Sequence, residues 1–517
     1  MKHIKSIIIV AICILLLQTS CESFLEETPI DEITVDYIYS SVDGLEVGVN
    51  ALYNRQRRNN VPGRCDRNIG LANLMLYLGT DLGHLRGWFN PYESNFHTAA
   101  RYPDGKWVLS YEIIDRVNAI INSSKDLEQS DRLKTAVAEA KVIRAENYLD
   151  LIRMYGIILL DTTHTTPENY QDEVVYEPAN QADVYKLIDS DLDYAIANLK
   201  YDVESGRYGK GVARHLKGKS AMWQSKWSEA VKQFDAIIED GPYRLVDLKD
   251  VFGQNLNHEE AIYVYPRDDA YGDDDNLAGG DDIWMCGIFN NRYYEMSTGE
   301  LIKSAELGGQ SMGWMYPNDY LQSLYDKDND KRYTTYYYPT KLYVNNPDHP
   351  NFGQEISTYD DNFRRYHWSL KKYHDDDKPL NSNGTWHDLL YYRFAETLLL
   401  GAEAHWRLDN ENPGNAKALE YINMIRERAF GNSNHNFTEF TLDTYLEESA
   451  RELAFEKNRW YLLKRTGLLV ERQNMYYTKG SNSGNTIKIP MKPYMVNMPI
   501  SQSQIDLMGT FPQNEGY

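Results

Sequence analysis

The sequence predicts a mostly α-helical protein that carries one long, loop-rich insertion. Seven segments show apolar residues spaced three and four positions apart, the pattern of amphipathic helices; they span residues 110–127, 131–155, 182–199, 211–239, 389–408, 413–429 and 442–469. Between residues 266 and 387 this pattern gives way to Gly, Asp, Asn, Pro and aromatic residues. Loops of this length are usually functional or disordered, and the aromatic content argues against disorder. We therefore expect the working surface in residues 266–387.

The composition is typical of a soluble globular protein with an acidic surface. Of the 517 residues, 42% are hydrophobic and 25% are charged, which is ample material for a core of one or more domains. The formal net charge of −22 would repel phosphate backbones, so nucleic acid is not expected as a partner. The 41 tyrosines are too many to be buried together, so a good share should lie at surfaces or in grooves. This favours recognition of a ligand.

Residues 1–20 predict a signal peptide. Lys2 and Lys5 precede an apolar stretch at residues 7–17, which is shorter than the roughly 20 residues that cross a bilayer. The sequence LLLQTSC then ends at Cys21 and resembles a bacterial lipobox, in which the cysteine is lipidated and becomes the mature N-terminus. The alternative is a secretory signal that is cut beside a cysteine by chance.

Residues 217–242, KGKSAMWQSKWSEAVKQFDAIIEDGP, resemble a tetratricopeptide (TPR) helix pair. Gly218 would let the two helices approach closely, and Ala230 and Phe234 would interlock across them. Pro242 would end the second helix. The alternative is a pair of amphipathic helices without repeat ancestry.

A second helix pair is predicted at residues 389–429. Asn412 would cap its second helix, with Pro413 in the first turn, and Gly431 follows shortly after the end of that helix. Helices therefore dominate both ends of the chain.

The apolar run FAETLLLGAEAHWRL, residues 394–408, contains Glu396, Glu403 and His405 and raises the question of catalysis. On a helix the two glutamates share one face but lie about 10.5 Å apart along the axis. This exceeds even the roughly 6.5–9.5 Å between the carboxyl groups of an inverting glycosidase. His405 faces away from Glu403, so no metal could join them on one face. The arrangement predicts ion pairing between helices and no catalytic residue.

Charged residues on the following predicted helices offer partners for such pairing. Carboxylates and guanidiniums on packed helices form bidentate hydrogen bonds that fix register as well as charge. The basic residues and the acidic stripe beside them are Arg426, Arg428, Arg451, Arg459, Glu448, Glu452 and Glu456.

Four C-terminal motifs, FAETLLLGAEAHWR, INMIRERAF, ARELAFEKNRWYLLKRTG and MPISQSQIDLMGTFPQNEGY, resemble the SusD/RagB family of nutrient-binding surface lipoproteins of Bacteroidetes. The LGTDLGHL stretch around Asp81, the segment with Trp107 and Tyr111, Cys21 and the TPR-like pair agree with this family, so the likeness spans nearly the whole chain. Members commonly have Arg, Gly, Asp, Pro and Pro, respectively, where this chain has Ser449, Lys457, Leu462, Ser501 and Glu515.

The resemblance implies a SusD-like fold in which TPR-like helical pairs form a right-handed helical scaffold with long loop-rich insertions. It implies that the protein captures an oligosaccharide, without a reaction and without a cofactor. It also implies a lipid-anchored protein, exposed at the cell surface of the outer membrane, that covers a SusC-like TonB-dependent transporter like a lid. The expected organisation is a signal peptide at 1–20, a lipidated tether at 21–40, a helical TPR-like part at 41–265, a ligand-facing region at 266–387 and a C-terminal helical region at 388–517.

Exposed aromatic residues in loops are the best candidates for ligand contact, because sugar rings present an apolar C–H face and a hydroxyl edge. Trp88 is the first choice, since family members often use an aromatic residue in this loop to stack on ligand; burial against the helices is the alternative. Asp81, Phe89 and Tyr92 belong to the same stretch. Further candidates in the loop-rich region are Trp284, Tyr293, Tyr294, Trp314 and Tyr316.

Metal, redox and enzyme signals in the sequence are weak. Acidic clusters at 272–276 and 279–282 could attract calcium, but their spacing does not match an EF-hand loop and solvated loop charge is favoured, so no metal is predicted. Cys65 and Cys286 could pair, and the sequence leaves this open. No H-E-x-x-H, G-x-S-x-G or P-loop pattern is present.

Two other functions stay open at the level of sequence. A peptide-binding, RagB-like protein of the same fold would need donors that pair with a peptide backbone more than aromatic platforms. An exported helical glycoside hydrolase would need two facing carboxylates in a cleft.

Overall fold

Antiparallel helices form the first half of the chain in the computed structural model, which describes residues 38–61, 75–77, 79–85, 92, 104–267, 284–359, 362, 364–477 and 490–517. The elements of this half are α1 (Val42–Asn60), β1 (Gly83–Leu85), α2 (Asp104–Ser123), α3 (Asp131–Tyr155), α4 (Gln181–Asn198), α5 (Lys210–Trp223), α6 (Trp227–Ile238), α7 (Leu248–Val251) and β2 (Ala261–Tyr265).

The second half contains short elements first and long helices afterwards. The elements up to the second sheet strand are α8 (Met285–Phe289), β3 (Met315–Pro317), α9 (Asp319–Ser323), α10 (Arg332–Thr335) and β4 (Leu389–Arg393). The C-terminal helices are α11 (Phe394–Leu408), α12 (Ala416–Phe430), α13 (Leu442–Leu453), α14 (Asn458–Arg465), α15 (Leu469–Tyr476) and α16 (Gln502–Met508). The mostly α-helical fold is confirmed.

The long helices form one continuous array. Neighbours in sequence pack together from α1 to α6, then α11 packs on α6 and α12 on α11. Ala404 of α11 shares a small core with Ala230 and Phe234 of α6 and Met222 of α5. The C-terminal helix pair therefore continues the array that the N-terminal pairs begin.

A two-stranded sheet closes the insertion at its base. Strands β2 and β4 pair antiparallel, with Tyr265 opposite Leu389. The chain therefore leaves the helix array and returns to it at neighbouring positions. A second short sheet pairs β1 with β3, where Leu85 lies opposite Met315.

The TPR-like pair is α5 and α6, and its predicted interlock is present. A Cβ atom added to Gly218 would lie 2.5 Å from the ring of Phe234, which is closer than van der Waals contact allows. Ala230 and Phe234 are fully buried. The glycine therefore lets the second helix approach to the distance at which the phenylalanine ring fills the gap.

The predicted helix at 389–408 is wrong over its first five residues. Leu389–Arg393 form β4, and α11 begins at Phe394. Periodicity does not distinguish a short buried strand from the start of a buried helix. The pairing of this strand with β2 joins segments more than a hundred residues apart in the chain, so the local sequence pattern does not contain it.

The predicted helix at 442–469 is wrong at its middle, where α13 ends and α14 begins. Phe455 and Lys457 have φ values of 60° and 74°, in the left-handed region that a right-handed helix excludes. The ammonium of Lys372, distant in sequence, donates to the carbonyl of Glu452 at 2.7 Å and so satisfies the helix end. Tertiary contacts, and not a local breaker residue, end α13.

The predicted cap of the last helix pair is shifted by three residues. Asn415 caps α12, because its side chain accepts from the backbone N–H of Ala418. Asn412 instead accepts from the N–H of Gly414 within the loop. Gly431 ends α12 with φ 76°, as expected for a left-handed cap.

Gly218→Ala should destabilise the fold by about 1–3 kcal/mol, because the added methyl group would meet the Phe234 ring across α5 and α6. Denaturation by urea measures the free energy of unfolding. Gly414→Ala is the control, since its added methyl group would meet only Asn412, at an ordinary 3.5 Å. Equal stability of the two variants would show that the close approach of α5 and α6 does not matter.

Candidate functional site

The three side chains of α11 that suggested catalysis bind separate partners. The carboxylate of Glu403 accepts two hydrogen bonds from the guanidinium of Arg465, at 2.7 and 2.5 Å. His405 contacts Asp235 on α6, with 2.9 Å between Nε2 and a carboxylate oxygen. Glu396 pairs with residues of α5. The predicted role in pairing helices is confirmed, although the partners lie on more helices than the sequence indicated.

Glu396 forms a fully buried ion pair with α5. The Lys219 ammonium lies 2.5 Å from one carboxylate oxygen, and His215 Nε2 lies 3.1 Å from the other. Burial alone would raise the pKa of Glu396, but Lys219 and His215 outweigh it and hold the pKa at about 2. Burial, and then Lys219, lower the pKa of His215 to about 4. The carboxylate is therefore ionised and the imidazole neutral at pH 7.

A larger buried ion network joins the insertion to the C-terminal helices. Arg332, fully buried, pairs with Asp330 and donates to Glu448 and Glu452 of α13 at 2.8 and 3.0 Å. Arg393, at the end of β4, donates to Glu452 at 2.7 Å. The other members, joined by further short contacts, are Arg426, Arg428, Arg451, Lys372, Glu260 and Glu456.

The network stays ionised although it is buried. Burial alone would raise the pKa of Glu452, but Arg428, Arg393 and Arg332 outweigh this effect and hold the pKa well below its usual value. Arg332 and Lys372 belong to the insertion, whereas Glu452 belongs to α13. The network therefore fixes the position of the insertion on the helix array.

Asp81, a predicted ligand contact, lies in the interior. Arg459 donates to both of its carboxylate oxygens, at 2.8 and 2.7 Å, and Arg472 donates to one at 2.8 Å. Burial alone would raise the pKa of Asp81, but these two guanidiniums outweigh it and lower the pKa. The carboxylate therefore joins the segment before β1 to α14 and α15, and the expectation that it faces solvent is wrong.

Four predicted ligand contacts, Trp284, Tyr294, Trp314 and Tyr316, are half-buried side chains of the insertion, and together we call them the aromatic wall. The rings of Trp284 and Trp314 meet edge to face, with centroids 5.8 Å apart. Trp314 and Tyr316 are two residues apart in an extended segment, so they lie on the same side of it. The Tyr316 ring also packs on His367, at 5.3 Å between centroids.

Hydrogen bonds to backbone carbonyls hold the aromatic wall together. The backbone N–H of Trp314 donates to the carbonyl of Ile288 at 3.0 Å. Ile288 belongs to α8, the short helix that follows Trp284. The hydroxyl of Tyr294 donates to the carbonyl of Ser311 at 3.1 Å. The segment before β3 is thus attached along α8 and its following turn, which brings all four rings onto one scaffold.

Polar side chains lie beside the Tyr294 end of the aromatic wall. Lys303 lies over the Tyr294 ring, 4.9 Å from its centroid. It donates to the side-chain carbonyls of Gln310 and Asn381 at 2.7 and 2.8 Å. This polar triad of Lys303, Gln310 and Asn381 presents an ammonium and two amides next to an aromatic face.

The remaining predicted site residues are buried or outside the described ranges. Tyr92 and Tyr293 are 4% and 2% exposed and pack in the core, so their predicted exposure is wrong. Trp88 and Phe89 lie outside the described residues, as do Cys21, Cys65 and the acidic clusters at 272–276 and 279–282. Leu85, three residues before Trp88 in sequence, pairs with Met315, the neighbour of Trp314.

One cation–π pair at the base of the insertion, between Arg267 and Trp386, was not found by the sequence analysis. The guanidinium of Arg267 lies 5.1 Å from the ring centroid of Trp386. The backbone N–H of Arg267 donates to the carboxylate of Asp388 at 2.7 Å. Both side chains are half-buried. The surrounding sequence NSNGTWHD places a tryptophan beside Gly and Asn in the loop-rich region, so the search for aromatic residues in loops could have found Trp386.

Within the described ranges, no group of three or more His, Cys, Asp or Glu side chains is placed to hold a metal ion. No helix in the same ranges is long and apolar enough to cross a membrane. Cys286 is buried, and burial raises the pKa of its thiol to about 11.

The sequence profile of the SusD family matches residues 253–517, just over half of the chain. This range includes the whole aromatic wall and every helix from α8 to α16. The chain belongs to the SusD family. The resemblance seen in the C-terminal motifs is thereby confirmed.

SusD-family proteins align with nearly the whole chain. A SusD-like protein of Formosa agariphila is 24% identical and covers 96% of this chain and 97% of its own length. A SusD-like protein of Bacteroides ovatus is 25% identical over 88% of this chain and 81% of its own length. The N-terminal helices are therefore shared with these SusD-like proteins as well.

Solved structures share the fold. Surface glycan-binding protein A from Bacteroides thetaiotaomicron in complex with laminarihexaose is 21% identical, with a TM-score of 0.68 over 92% of this chain and 99% of that one. A laminarin-binding SusD-like protein is 20% identical, with a TM-score of 0.67 over 92% of this chain and 99% of that one. The helix array and its insertion are thus the SusD fold.

Three departures from common family residues have visible structural consequences. Lys457 has φ 74°, a conformation that glycine adopts without strain, and its ammonium lies 3.6 Å from Asp150. Ser449 and Leu462, which replace the common Arg and Asp, line a small cavity of about 50 Å³ among α5, α11, α13 and α14. Scaffold packing therefore differs locally, away from the aromatic wall.

Glu403→Gln should lower the free energy of unfolding by about 3–5 kcal/mol, because it leaves the Arg465 guanidinium without its buried carboxylate. Glu411→Gln, which removes the exposed partner of Arg407, should cost about 1 kcal/mol or less. Urea denaturation of both variants checks this. Unchanged stability of Glu403→Gln together with loss of ligand binding would place Glu403 in the functional site instead.

Stability should fall as the pH drops from 6.5 towards 4, because the unfolded chain protonates His215 at its ordinary pKa of 6.5 and the folded chain only at about 4. This difference corresponds to on the order of 3 kcal/mol. In His215→Gln that part of the pH dependence should disappear, although its stability at pH 7 is lower. His164→Gln controls for the loss of a histidine elsewhere, and a wild-type slope in His215→Gln would contradict the assignment.

Proposed function

We propose that this protein captures oligosaccharides at the cell surface and delivers them to a SusC-like TonB-dependent transporter in the outer membrane. The observation that carries the proposal is the aromatic wall, four half-buried rings beside a polar triad, in a chain of the SusD family. Cys21 would hold the lipid anchor that keeps the protein at the outer membrane.

The chemistry of the aromatic wall suits a sugar. Trp284 and Trp314 offer indole surfaces on which the C–H face of a pyranose can stack, and Tyr294 and Tyr316 extend this surface. Lys303 and the amides of Gln310 and Asn381 can bond the hydroxyl edge. A glycan is further supported by the similar structures, two of which are described with laminarin or laminarihexaose. Trp88 remains part of the proposed site.

The proposal includes no reaction. Glu396 and Glu403 are held in ion pairs between helices, and Glu452 lies at the centre of the buried network. A glycosidase needs one carboxyl group free to donate a proton and another free to attack or to activate water. These carboxylates are committed to the scaffold, so the captured glycan leaves chemically unchanged.

Trp314→Ala and Trp88→Ala should each weaken binding of the cognate oligosaccharide at least fivefold, since a stacking contact is worth about 1 kcal/mol. Calorimetry on protein beginning at residue 22, first with laminarihexaose and then with a panel of glycans and peptides, measures the affinity. Tyr170→Ala is the control, because it removes an exposed aromatic side chain that lies outside the insertion.

Three results would contradict the proposed function. Unchanged affinity of a folded Trp314→Ala variant would remove the aromatic wall from the site. Binding of peptides and of no glycan would favour the RagB-like alternative. New reducing ends during incubation with polysaccharide would indicate a hydrolase.

A further inference from the structure

The segment 156–180, which we call the strap, joins α3 to α4 without helix or strand and is held firmly in its first part. The hydroxyl of Tyr148 donates to the Asp161 carbonyl at 2.6 Å, and the Asn118 amide donates to the same carbonyl at 3.1 Å. Near its end, the Ala179 N–H donates to the carbonyl of Ile158 at 2.8 Å. These bonds attach the start of the strap to α2 and α3 and bring its two ends together.

The strap nevertheless exposes large apolar side chains. Tyr170, Val174 and Val175 are 64%, 59% and 68% exposed. Leu507 on α16 is 75% exposed, the highest value among the large apolar side chains described. The end of α16 meets the strap, because the Thr510 hydroxyl donates to the Tyr176 carbonyl at 3.2 Å. We call Tyr170, Val174, Val175 and Leu507 the strap patch.

The two chain segments that carry the strap patch are acidic and contain no positive charge. Residues 156–180 and 493–517 include neither Lys nor Arg. The exposed carboxylates are Asp161, Glu168, Asp172, Glu173, Glu177, Asp506 and Glu515, and in the part of the chain that the structure describes they form no ion pair. Some exposed acids elsewhere are paired, as Asp43 is with Arg132 at 2.8 Å. An apolar centre with an unneutralised acidic rim is therefore complementary to a surface of positive charge.

We propose that the strap patch docks the protein onto its transporter, through a surface where apolar residues are surrounded by Lys and Arg. This rests on the proposed function, which supplies the transporter as partner. Charge excludes the other occupants: a second copy would bring the same negative rim, and an anionic membrane surface would be repelled. Exposed apolar side chains that are rimmed by polar residues are typical of a contact surface.

The aromatic wall and the strap patch share no residue, so separate variants can test docking and glycan binding. The strap belongs to the N-terminal helices, and the aromatic wall belongs to the insertion. A variant of the strap patch should therefore lose the transporter and keep the sugar. This separation allows one experiment to test both proposals independently.

The test uses the full lipidated chain, co-expressed with the SusC-like transporter of its own genome and extracted from outer membranes. Val175→Asp combined with Leu507→Asp should reduce the transporter retained on the tagged protein at least tenfold. The control variant combines Leu408→Asp on α11 with Met424→Asp on α12, which are two other exposed apolar residues. This variant should retain the transporter fully. Both variants should bind laminarihexaose, or the glycan found in the panel, as wild type does.

Charge reversal gives a second measurement. Asp172→Lys combined with Glu173→Lys should slow association with the purified transporter and reduce its dependence on salt, because reversing two of the acidic charges weakens the steering attraction. The proposal would be overturned if the variant with Val175→Asp and Leu507→Asp retained the transporter as wild type does. It would also be overturned if charge reversal left the association rate unchanged.

If wild type binds glycan but does not retain the transporter, the partner in the proposed function is wrong and the docking role of the strap patch falls with it. Loss of glycan binding in the variant would show a structural role for the patch and also overturn the proposal.

Discussion

The structure depends on a buried ion network centred on Arg332, Arg393 and Glu452. Each residue comes from a different part of the chain: the insertion, the strand that ends it, and α13. Buried ions are costly to desolvate, and their charges are satisfied only when all three segments are correctly placed. The network therefore provides geometric specificity more than net stability, because apolar packing would permit the insertion to slide whereas fixed hydrogen-bond directions do not.

The helical scaffold could be predicted from sequence because its signals are local. The segment 131–155 matches α3 at both ends, since its apolar spacing and the capping Ser130 lie within the helix and its first turn. The close approach at Gly218 could also be predicted, because the sizes of glycine and of Phe234 are given by residue type alone. β4 and the end of α13 could not, because pairing with β2 and the Lys372 ammonium come from distant residues. The partner of Glu403 depends likewise on which helix packs against it.

The candidate site was predictable in composition but not in exposure. Aromatic residues in a loop-rich stretch indicated ligand contact, and Trp284, Tyr294, Trp314 and Tyr316 lie together on one scaffold. The same reasoning chose Tyr293, which has the same chemistry as Tyr294 and lies beside it, yet packs in a small core. Asp81 was chosen for its neighbours in sequence, and its place is decided by Arg459, more than three hundred residues away. Burial follows from tertiary structure, which residue type alone does not encode.

The sheet of β2 and β4 has a consequence for how this protein and its relatives diverge. Because both ends of the inserted segment meet at one ladder, sequence between them can be exchanged without moving the helices that flank it. The residues that anchor the segment, such as Arg332 and Lys372, must be kept. Selection can thus change the surface that the inserted segment presents while the helical frame around it is inherited intact.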